Sequence, residues 1–198
     1  RPAMVNRITI GSYAVDAVGL ADLLKESSVL YVEDNAEVRE QLAWYLRRRV
    51  GSLYLAADGR DGLELWRRHR PDIVVTDIMM PVMDGLDMAA ALRQENPSTP
   101  IIITTAHNES EFFLRAIDLG IDKYAVKPID TRSLIRTMEK CAWEVRASTE
   151  MRLAGAVFES SSNAILITDA NNHIIAVNPA FCKITGYAEE EVVGKSPS

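Results

Sequence analysis

Carboxylates stand directly after two apolar runs of this chain. Glu33 and Asp34 follow the run at residues 29–32, and Asp77 ends the run that begins at residue 73. Carboxylates brought together repel one another and raise each other's pKa, and a bound divalent cation removes that repulsion. Mg²⁺ takes oxygen ligands and commonly uses one or two carboxylates plus a phosphoryl oxygen. If the fold collects these acids in one place, they predict a magnesium site.

A lysine and a pair of threonines add groups that bind an anion. Lys127 follows another apolar run and offers a positive point charge. Thr104 or Thr105 offers a hydroxyl hydrogen bond, and only one of them can face the site because side chains alternate along a strand. A carboxylate beside a metal ion, a cation and a hydroxyl can act as a nucleophile and form an aspartyl phosphate. The predicted chemistry is phosphoryl transfer to Asp77, helped by positioning and charge neutralisation.

Each of these residues has an ordinary structural explanation when it is considered alone. Asp77, or the pair Glu33 and Asp34, could cap the helix that follows, and Lys127 could be a solvated surface lysine. Four strand ends that carry the required types together are a far more specific signal than any one of them. We therefore favour the chemical interpretation.

Strands and helices alternate regularly through the part of the chain that carries these residues. Five strands alternating with five helices predict right-handed crossovers and a parallel sheet covered on both faces. The predicted fold class is α/β, a flavodoxin-like (βα)5 doubly wound sheet with strand order 2-1-3-4-5, in which the ends of strands one, three, four and five meet at one mouth. The predicted strands are residues 29–32, 53–57, 73–77, 101–105 and 124–126, and the helices are residues 36–49, 59–69, 88–94, 111–119 and a long one from 130.

The flanking segments divide the chain further. Residues 1–27 form an N-terminal extension, in which residues 13–24 fit an amphipathic helix loosely. A partner-binding helix and a disordered tail are alternatives, and a packed or self-associating helix is favoured. Residues 28–147 form the alternating domain, and residues 148–157 continue its last helix as a linker. Past Trp143 this helix is longer than the sheet needs, so it either frays or pairs with a second copy in a coiled coil.

From residue 158 the pattern changes to a hairpin followed by a short helix. Residues 164–169 and 173–177 have the pattern of strands on either side of an Asn-Asn turn. Asn178 and the proline after it begin a helix that Gly186 closes. A lone hairpin is marginal in water, so residues 158–198 are expected to be the first part of a domain.

The bulk properties of the chain argue against several function classes. A net charge of −6 on 198 residues disfavours broad electrostatic binding to nucleic acid or to an anionic membrane. No apolar run is long enough to span a bilayer, and the opening residues lack the pattern of a signal peptide. Cys141 and Cys182 have no metal or redox spacing and suit the reducing cytosol, so a cytoplasmic protein is expected.

Residues 29–140 resemble the receiver domain of two-component response regulators. The resemblance covers over half of the chain, and every hallmark position holds an expected residue type. Those positions are Glu33-Asp34, Asp77, Met80-Pro81, Met83-Asp84-Gly85, Thr105-Ala106, Tyr124 and Lys127-Pro128.

The resemblance implies a role for each acidic residue of the site. Asp77 would be the phosphoacceptor. Asp34 and Asp77 would bind Mg²⁺ directly, together with the main-chain carbonyl of Met79, and Glu33 would act through a water. The phosphoryl donor would be a sensor histidine kinase or a phosphotransfer protein.

The resemblance also implies how the site reports its state. Lys127 would hold the phosphoryl group, and its bond to Pro128 would be cis. Thr105 would be the switch hydroxyl and Tyr124 the switch aromatic, whose inward turn the fourth helix, fifth strand and fifth helix would carry outward. The alternative for Tyr124 is a plain edge-strand aromatic.

Two further positions tune the phosphate lifetime in this family. Here they are Met79 and His107. Neither offers a carboxylate or an amide to orient an attacking water, so slow self-dephosphorylation is expected.

Residues 158–198 resemble the N-terminal part of a PAS domain, with an unrelated αβ extension as the alternative. No haem, flavin or other ligand can be argued from the segment. The residues that carry the resemblance are Ile167-Thr168-Asp169, Ile174, Val177-Asn178-Pro179-Ala180-Phe181, Ile184-Thr185-Gly186-Tyr187, Glu190 and Val193-Gly194-Lys195.

Together the two resemblances imply a phosphorylation-dependent signalling switch, not an enzyme beyond self-phosphorylation from small donors and self-dephosphorylation. The last helix would relay the change to the PAS module and to an output domain that this chain lacks. The alternatives are a fragment of a multidomain enzyme, such as a cyclic-dinucleotide cyclase, a phosphodiesterase or a histidine kinase, and a dimerisation scaffold that is never phosphorylated.

Overall fold

The structure, a computed structural model, describes residues 17–106, 110–121 and 123–197. These residues fall into two compact units that divide between Arg146 and Ala147. In the first unit the described strands are β1 (Ser28–Val32), β2 (Ser52–Ala56), β3 (Ile73–Asp77), β4 (Ile101–Thr105) and β5 (Lys123–Val126). Its described helices are α1 (Ala17–Glu26), α2 (Ala36–Leu46), α3 (Gly59–His69), α4 (Gly85–Glu95), α5 (Ser110–Asp118) and the start of α6 (Thr131–Ser160), which runs past the division.

The five strands form one parallel sheet in the order β2-β1-β3-β4-β5, which confirms the predicted flavodoxin-like topology. Every residue of β3 and β4 is buried, as expected of central parallel strands covered on both faces. The register pairs Asp77 with Thr104 across these two strands. The carboxyl ends of β3 and β4 therefore lie side by side, so residues at the two strand ends can contribute to one site.

Apolar side chains on the two faces of the sheet form two separate core clusters. Leu30 and Val74 belong to the cluster that α3 and α4 cover, whereas Val29 and Val75 belong to the cluster that α2 and α6 cover. This division follows from the two-residue period of a strand. The first turns of α6 complete the second cluster with Leu134, Met138 and Cys141, so they cover the sheet as predicted.

Two helices begin or end away from their predicted positions. α4 contains the predicted residues 88–94 and begins three residues earlier, at Gly85, because the Asp84 side chain caps it by accepting from the backbone N–H of Asp87 at 2.6 Å. α2 ends at Leu46 and not at residue 49, since Arg49 and Val50 both turn back to donate to the Leu46 carbonyl. Val50 is then buried where the chain enters β2.

The described part of the N-terminal extension is a helix that packs on the core. Leu24 of α1 is 1% exposed and belongs to the same cluster as Tyr31 and Met138. Gly51 lies so close to the end of α1 that a Cβ there would sit 2.6 Å from the Lys25 carbonyl oxygen. The expectation of a packed helix is met for residues 17–26, and Tyr13 lies outside the described residues.

Leu24→Ala is expected to lower the free energy of unfolding of the first unit by about 2 kcal/mol, because truncating a buried leucine removes apolar contact and leaves a cavity. Urea unfolding followed by circular dichroism would measure the loss. Leu114→Ala is the matched control, since Leu114 is 71% exposed, and it should leave the midpoint almost unchanged. Equal midpoints for the two variants would show that α1 is not part of this core.

The second unit contains the predicted hairpin and short helix. Its described elements after α6 are β6 (Leu166–Thr168), β7 (Ile174–Val177), α7 (Pro179–Thr185) and α8 (Glu189–Val192). β6 and β7 pair antiparallel, and Asn172 between them has φ 65°, as the turn requires. The fully buried Asn178 caps α7 and also donates to the carbonyls of Phe158 and Asn163, both at 3.0 Å. One amide thus joins the end of α6, the following loop and α7.

No described helix combines the length and the apolar character that crossing a bilayer requires.

Candidate functional site

The acidic residues predicted from the sequence come together at the carboxyl edge of the sheet. Glu33 and Asp34 follow β1, and Asp77 is the last residue of β3. Each of the three offers a carboxylate oxygen within 4.8 Å of the others. Glu33 and Asp77 are buried, whereas Asp34 is exposed at the rim. The arrangement is a small acidic pocket that opens to solvent on one side.

Lys127 reaches into this pocket from the end of β5. Its Nζ donates to Asp77 Oδ2 at 2.7 Å and to Glu33 Oε2 at 2.9 Å. Burial alone would lower the pKa of the Lys127 ammonium, but its hydrogen bonds to the two carboxylates outweigh burial and leave that pKa raised. The lysine therefore stays charged, and its bond to Pro128 is cis, as the resemblance implies.

The surroundings of Asp77 disfavour its ionised form. Its side chain is almost fully buried, and its Oδ1 accepts from the backbone N–H of Ile78 at 2.8 Å. Burial is the main cause that raises the pKa of Asp77; the hydrogen bond from Lys127 opposes this shift and the charge of Glu33 adds to it. Ionised Asp77 thus carries a cost in the folded protein that the lysine only partly offsets.

Asp77→Asn is expected to raise the melting temperature at neutral pH when a chelator removes divalent cations. A carboxyl whose pKa is raised by folding costs stability wherever it is ionised, and that cost declines as the pH falls through the raised pKa of Asp77 and is gone below the ordinary carboxyl value near about 4. The gain from the substitution should therefore shrink as the pH is lowered toward that range. Calorimetric melting of both proteins across this pH window would measure it. A gain that grew on acidification would contradict this electrostatic description.

The donor set of the pocket fits a divalent cation. Three carboxylates face one ammonium group, so the pocket retains excess negative charge even after Lys127 is counted. Carboxylate oxygens with an open, solvated side are the ligands that Mg²⁺ prefers. The same charges without a cation would repel one another at close range.

The other predicted site residues lie on β4 and β5. Thr105 ends β4 and is buried; its hydroxyl donates to the carbonyl of Ala106 at 3.1 Å. Thr104 is also buried, and its hydroxyl donates to the Thr76 carbonyl at 3.4 Å. Tyr124 is half-buried on β5, and its hydroxyl donates to the carbonyl of Ile121.

The structure describes one of the two positions that are expected to tune the phosphate lifetime. Met79 follows Asp77 by two residues and its side chain is 57% exposed. His107 lies outside the described residues.

Three contacts at the pocket were not anticipated from the sequence. Arg39, in the first turns of α2, donates to the carbonyls of Glu33 at 2.6 Å and Asp34 at 3.2 Å. The buried hydroxyl of Tyr31 lies 3.4 Å from Glu33 Oε2, and burial followed by the charge of Glu33 raises its pKa far above the ordinary value. Gly85 approaches the backbone of Asp77 so closely that a Cβ would lie 1.9 Å from the Asp77 carbonyl oxygen. The sequence spacing signals none of these contacts: Arg39 follows Glu33 by six residues and Asp34 by five, and neither is the three- or four-residue spacing that brings side chains of one helix together.

Comparison with known families supports both parts of the sequence analysis. Residues 29–139 match the family model described as the response regulator receiver domain. Residues 153–197 match a PAS domain model. The prediction of a receiver followed by a PAS segment is confirmed.

Curated relatives show the same similarity. The transcriptional regulatory protein AfsQ1 of Streptomyces coelicolor is 37% identical over 107 residues, which are 54% of this chain and 47% of that protein. The sensor histidine kinase TmoS of Ectopseudomonas mendocina is 27% identical over 205 aligned residues, covering 83% of this chain and 21% of that protein. The chain spans about half the length of AfsQ1, or less in the case of TmoS.

Solved structures agree with the fold. The chemotaxis protein CheY4 of Vibrio cholerae superposes with a TM-score of 0.55 at 28% identity, over 59% of this chain and 98% of that one. A Francisella response regulator receiver domain gives a TM-score of 0.54 at 28% identity, over 59% of this chain and 97% of that one. Because the receiver model matches residues 29–139, more than half of the 198 residues, the chain belongs to the response regulator receiver family, the phospho-accepting switches of two-component systems.

Proposed function

We propose that Asp77 accepts a phosphoryl group from the phosphohistidine of a sensor histidine kinase or a phosphotransfer protein. A carboxylate oxygen of Asp77 bonds to phosphorus, the phosphorus–nitrogen bond of the donor breaks, and the freed imidazole takes a proton. The observation that carries this proposal is the convergence of Asp77 with Lys127 Nζ at 2.7 Å and with two further carboxylates. A buried carboxylate with a raised pKa beside a specific charged partner is typical of a functional site.

The residues of the pocket have separate tasks in this proposal. Asp34, Asp77 and the main-chain carbonyl of Met79 would hold Mg²⁺, and Glu33 would act on it through a water. When bound, the cation supplies charge neutralisation for the carboxylates and the phosphoryl oxygens. Lys127, already aligned with Asp77, moves its hydrogen bond to a phosphoryl oxygen.

The direct test is incubation with Mg²⁺ and a small phosphodonor such as acetyl phosphate, followed by intact mass measurement. The wild type should gain one phosphoryl group, and Asp77→Asn should gain none. Asp72→Asn is a suitable control, because Asp72 is an aspartate beside β3 whose carboxylate accepts from the backbone N–H and hydroxyl of Ser28, both at 2.7 Å. No phosphate on the folded wild type would reject the proposal and would favour the scaffold alternative.

Thr105 and Tyr124 are proposed as the residues that sense the phosphoryl group. Thr105 ends the strand next to Asp77, and Tyr124 pairs with Ile103 of that strand through β5. A shift of the Thr105 hydroxyl toward the phosphoryl oxygen would free space for the aromatic ring. The surface formed by α5, β5 and α6 would then carry the change to the PAS segment.

The phosphorylated state is proposed to be long-lived. The Met79 side chain has no carboxylate or amide to orient an attacking water, and His107 has neither group. Decay of a radiolabel on Asp77 measures this lifetime. Complete loss within seconds would contradict the proposal.

The later part of α6 is proposed to pair with the same helix of a second copy. Met151, Leu153 and Val157 are all exposed in the second unit, and apolar side chains left in water on a helix favour association. Light scattering during size-exclusion chromatography would give the mass in solution. A monomer at all protein concentrations would contradict pairing.

A second candidate concerns the longer protein. The alignment with the sensor histidine kinase TmoS covers 83% of this chain, more than the receiver alone, and so favours a multidomain signalling protein in which the receiver and PAS segment regulate an output. A histidine kinase or a cyclic-dinucleotide enzyme would fit that place. For the receiver and the PAS segment we propose a switch role and not an enzymatic one, with the cytoplasm as the compartment.

A further inference from the structure

The turn between β1 and α2 must hold two carboxylates in an unfavourable position. Glu33 and Asp34 are adjacent, and both contribute an oxygen to the acidic pocket. Like charges at this distance push apart, and the turn has few residues with which to resist, since α2 begins at Ala36. Something outside the turn has to keep the two residues in place.

The Arg39 side chain donates hydrogen bonds to the backbone of this turn. Its Nη1 donates to the Glu33 carbonyl at 2.6 Å and to the Asp34 carbonyl at 3.2 Å. These bonds use no carboxylate oxygen, so they do not compete with a cation for its ligands. A planar guanidinium holds two acceptors at once with little loss of freedom, and its positive charge lies close to the two acids.

Tyr31 contacts the side chain of Glu33 from within the sheet. Residues two apart on a strand point to the same face, so the fully buried Tyr31 lies beside Glu33 and its hydroxyl is 3.4 Å from Glu33 Oε2. Lys127 Nζ contacts the same oxygen at 2.9 Å. The buried glutamate is therefore held at its carbonyl by Arg39 and at its carboxylate by Tyr31 and Lys127.

We propose that Arg39 and Tyr31 are positioning residues of the phosphorylation site, which keep Glu33 and Asp34 directed at the cation. This inference rests on the proposed function. Neither residue touches the phosphoryl group or the cation; each acts through the acidic pair. Groups that orient metal ligands in this way commonly change metal affinity by about 10-fold or more when they are removed.

The test measures Mg²⁺ affinity of the whole chain by isothermal titration calorimetry. Arg39→Met should weaken Mg²⁺ binding by about 10-fold, and Arg39→Lys should restore part of the loss because it returns the positive charge without the length and planar geometry of the guanidinium. Tyr31→Phe, which removes only the hydroxyl, should weaken binding by about 3-fold. Arg47→Met is the matched control: Arg47 follows the same helix, is exposed and pairs with Glu40 at 3.4 Å, and its loss should leave Mg²⁺ affinity unchanged.

The outcomes separate this inference from the proposed function. If wild type binds Mg²⁺ and is phosphorylated on Asp77, but Arg39→Met and Tyr31→Phe bind Mg²⁺ as wild type does, the inference is overturned and the proposed function stands. If wild type neither binds Mg²⁺ nor takes up phosphate, both fail. Circular dichroism shows which variants are folded, and Tyr31→Phe decides the question if Arg39→Met is not.

Discussion

Lys127→Met is expected to slow phosphoryl uptake from a small donor by about 100-fold, the usual effect of removing one donor that stabilises developing charge. The Lys127 ammonium is the cation that lies against Asp77 Oδ2, at 2.7 Å. Without it, charge on the transferring phosphoryl group loses a fixed partner in a buried setting. The rate of mass gain with acetyl phosphate at saturating Mg²⁺ measures the effect.

Two further variants make this result specific. Lys140→Met removes an exposed lysine of α6 and should phosphorylate at the wild-type rate. Lys127→Arg keeps the positive charge in a bulkier form and should fall between the wild type and Lys127→Met. Equal rates for the wild type and Lys127→Met would remove Lys127 from the site.

Gly85→Ala is expected to lower the free energy of unfolding by about 3 kcal/mol, the upper part of the range for overpacking a close contact. The added Cβ would lie 1.9 Å from the Asp77 carbonyl oxygen and 3.0 Å from Thr76 Oγ1. Neither neighbour can yield cheaply, because one is backbone of β3 and the other is a buried side chain. Relief requires β3 and α4 to separate, which moves Asp77 away from Lys127.

Chemical unfolding and phosphoryl uptake should therefore both be impaired by Gly85→Ala. Gly155→Ala is the matched control, since no atom lies within 4 Å of a Cβ at that helical position, and alanine there should be neutral or slightly stabilising. Wild-type stability and uptake in Gly85→Ala would show that the close approach of α4 to β3 is unimportant.

The sheet was predictable because its central strands are buried on both faces. Residues 73–77 and 101–105 are the predicted strands and also the observed β3 and β4. Parallel strands that helices cover on both faces are nearly continuous apolar runs, so the first polar residues after such a run mark the end of the strand in the sequence. The same rule predicts that Asp77 and Thr105 lie at one edge of the sheet.

The supporting contacts were not predictable because they depend on distances across space. Nothing in the apolar pattern shows that Gly85 lies against the Asp77 carbonyl or that Tyr31 reaches Glu33. The hydrophobic periodicity also does not show where a side chain caps a helix, and α4, which begins directly after its cap Asp84, is an example. Packing of α1 through Leu24 was only one of several alternatives, since a short amphipathic helix has the same pattern whether it packs on its own domain or on a partner.

The most direct measurement of the central claim is the identity of the residue that carries the phosphoryl group. Borohydride reduces an acyl phosphate of aspartate to homoserine, which survives digestion and can be located by peptide mass spectrometry. After treatment with Mg²⁺ and acetyl phosphate, the account predicts homoserine at position 77 and at no other aspartate. Homoserine at position 34 or at another aspartate, with Asp77 intact, would contradict it.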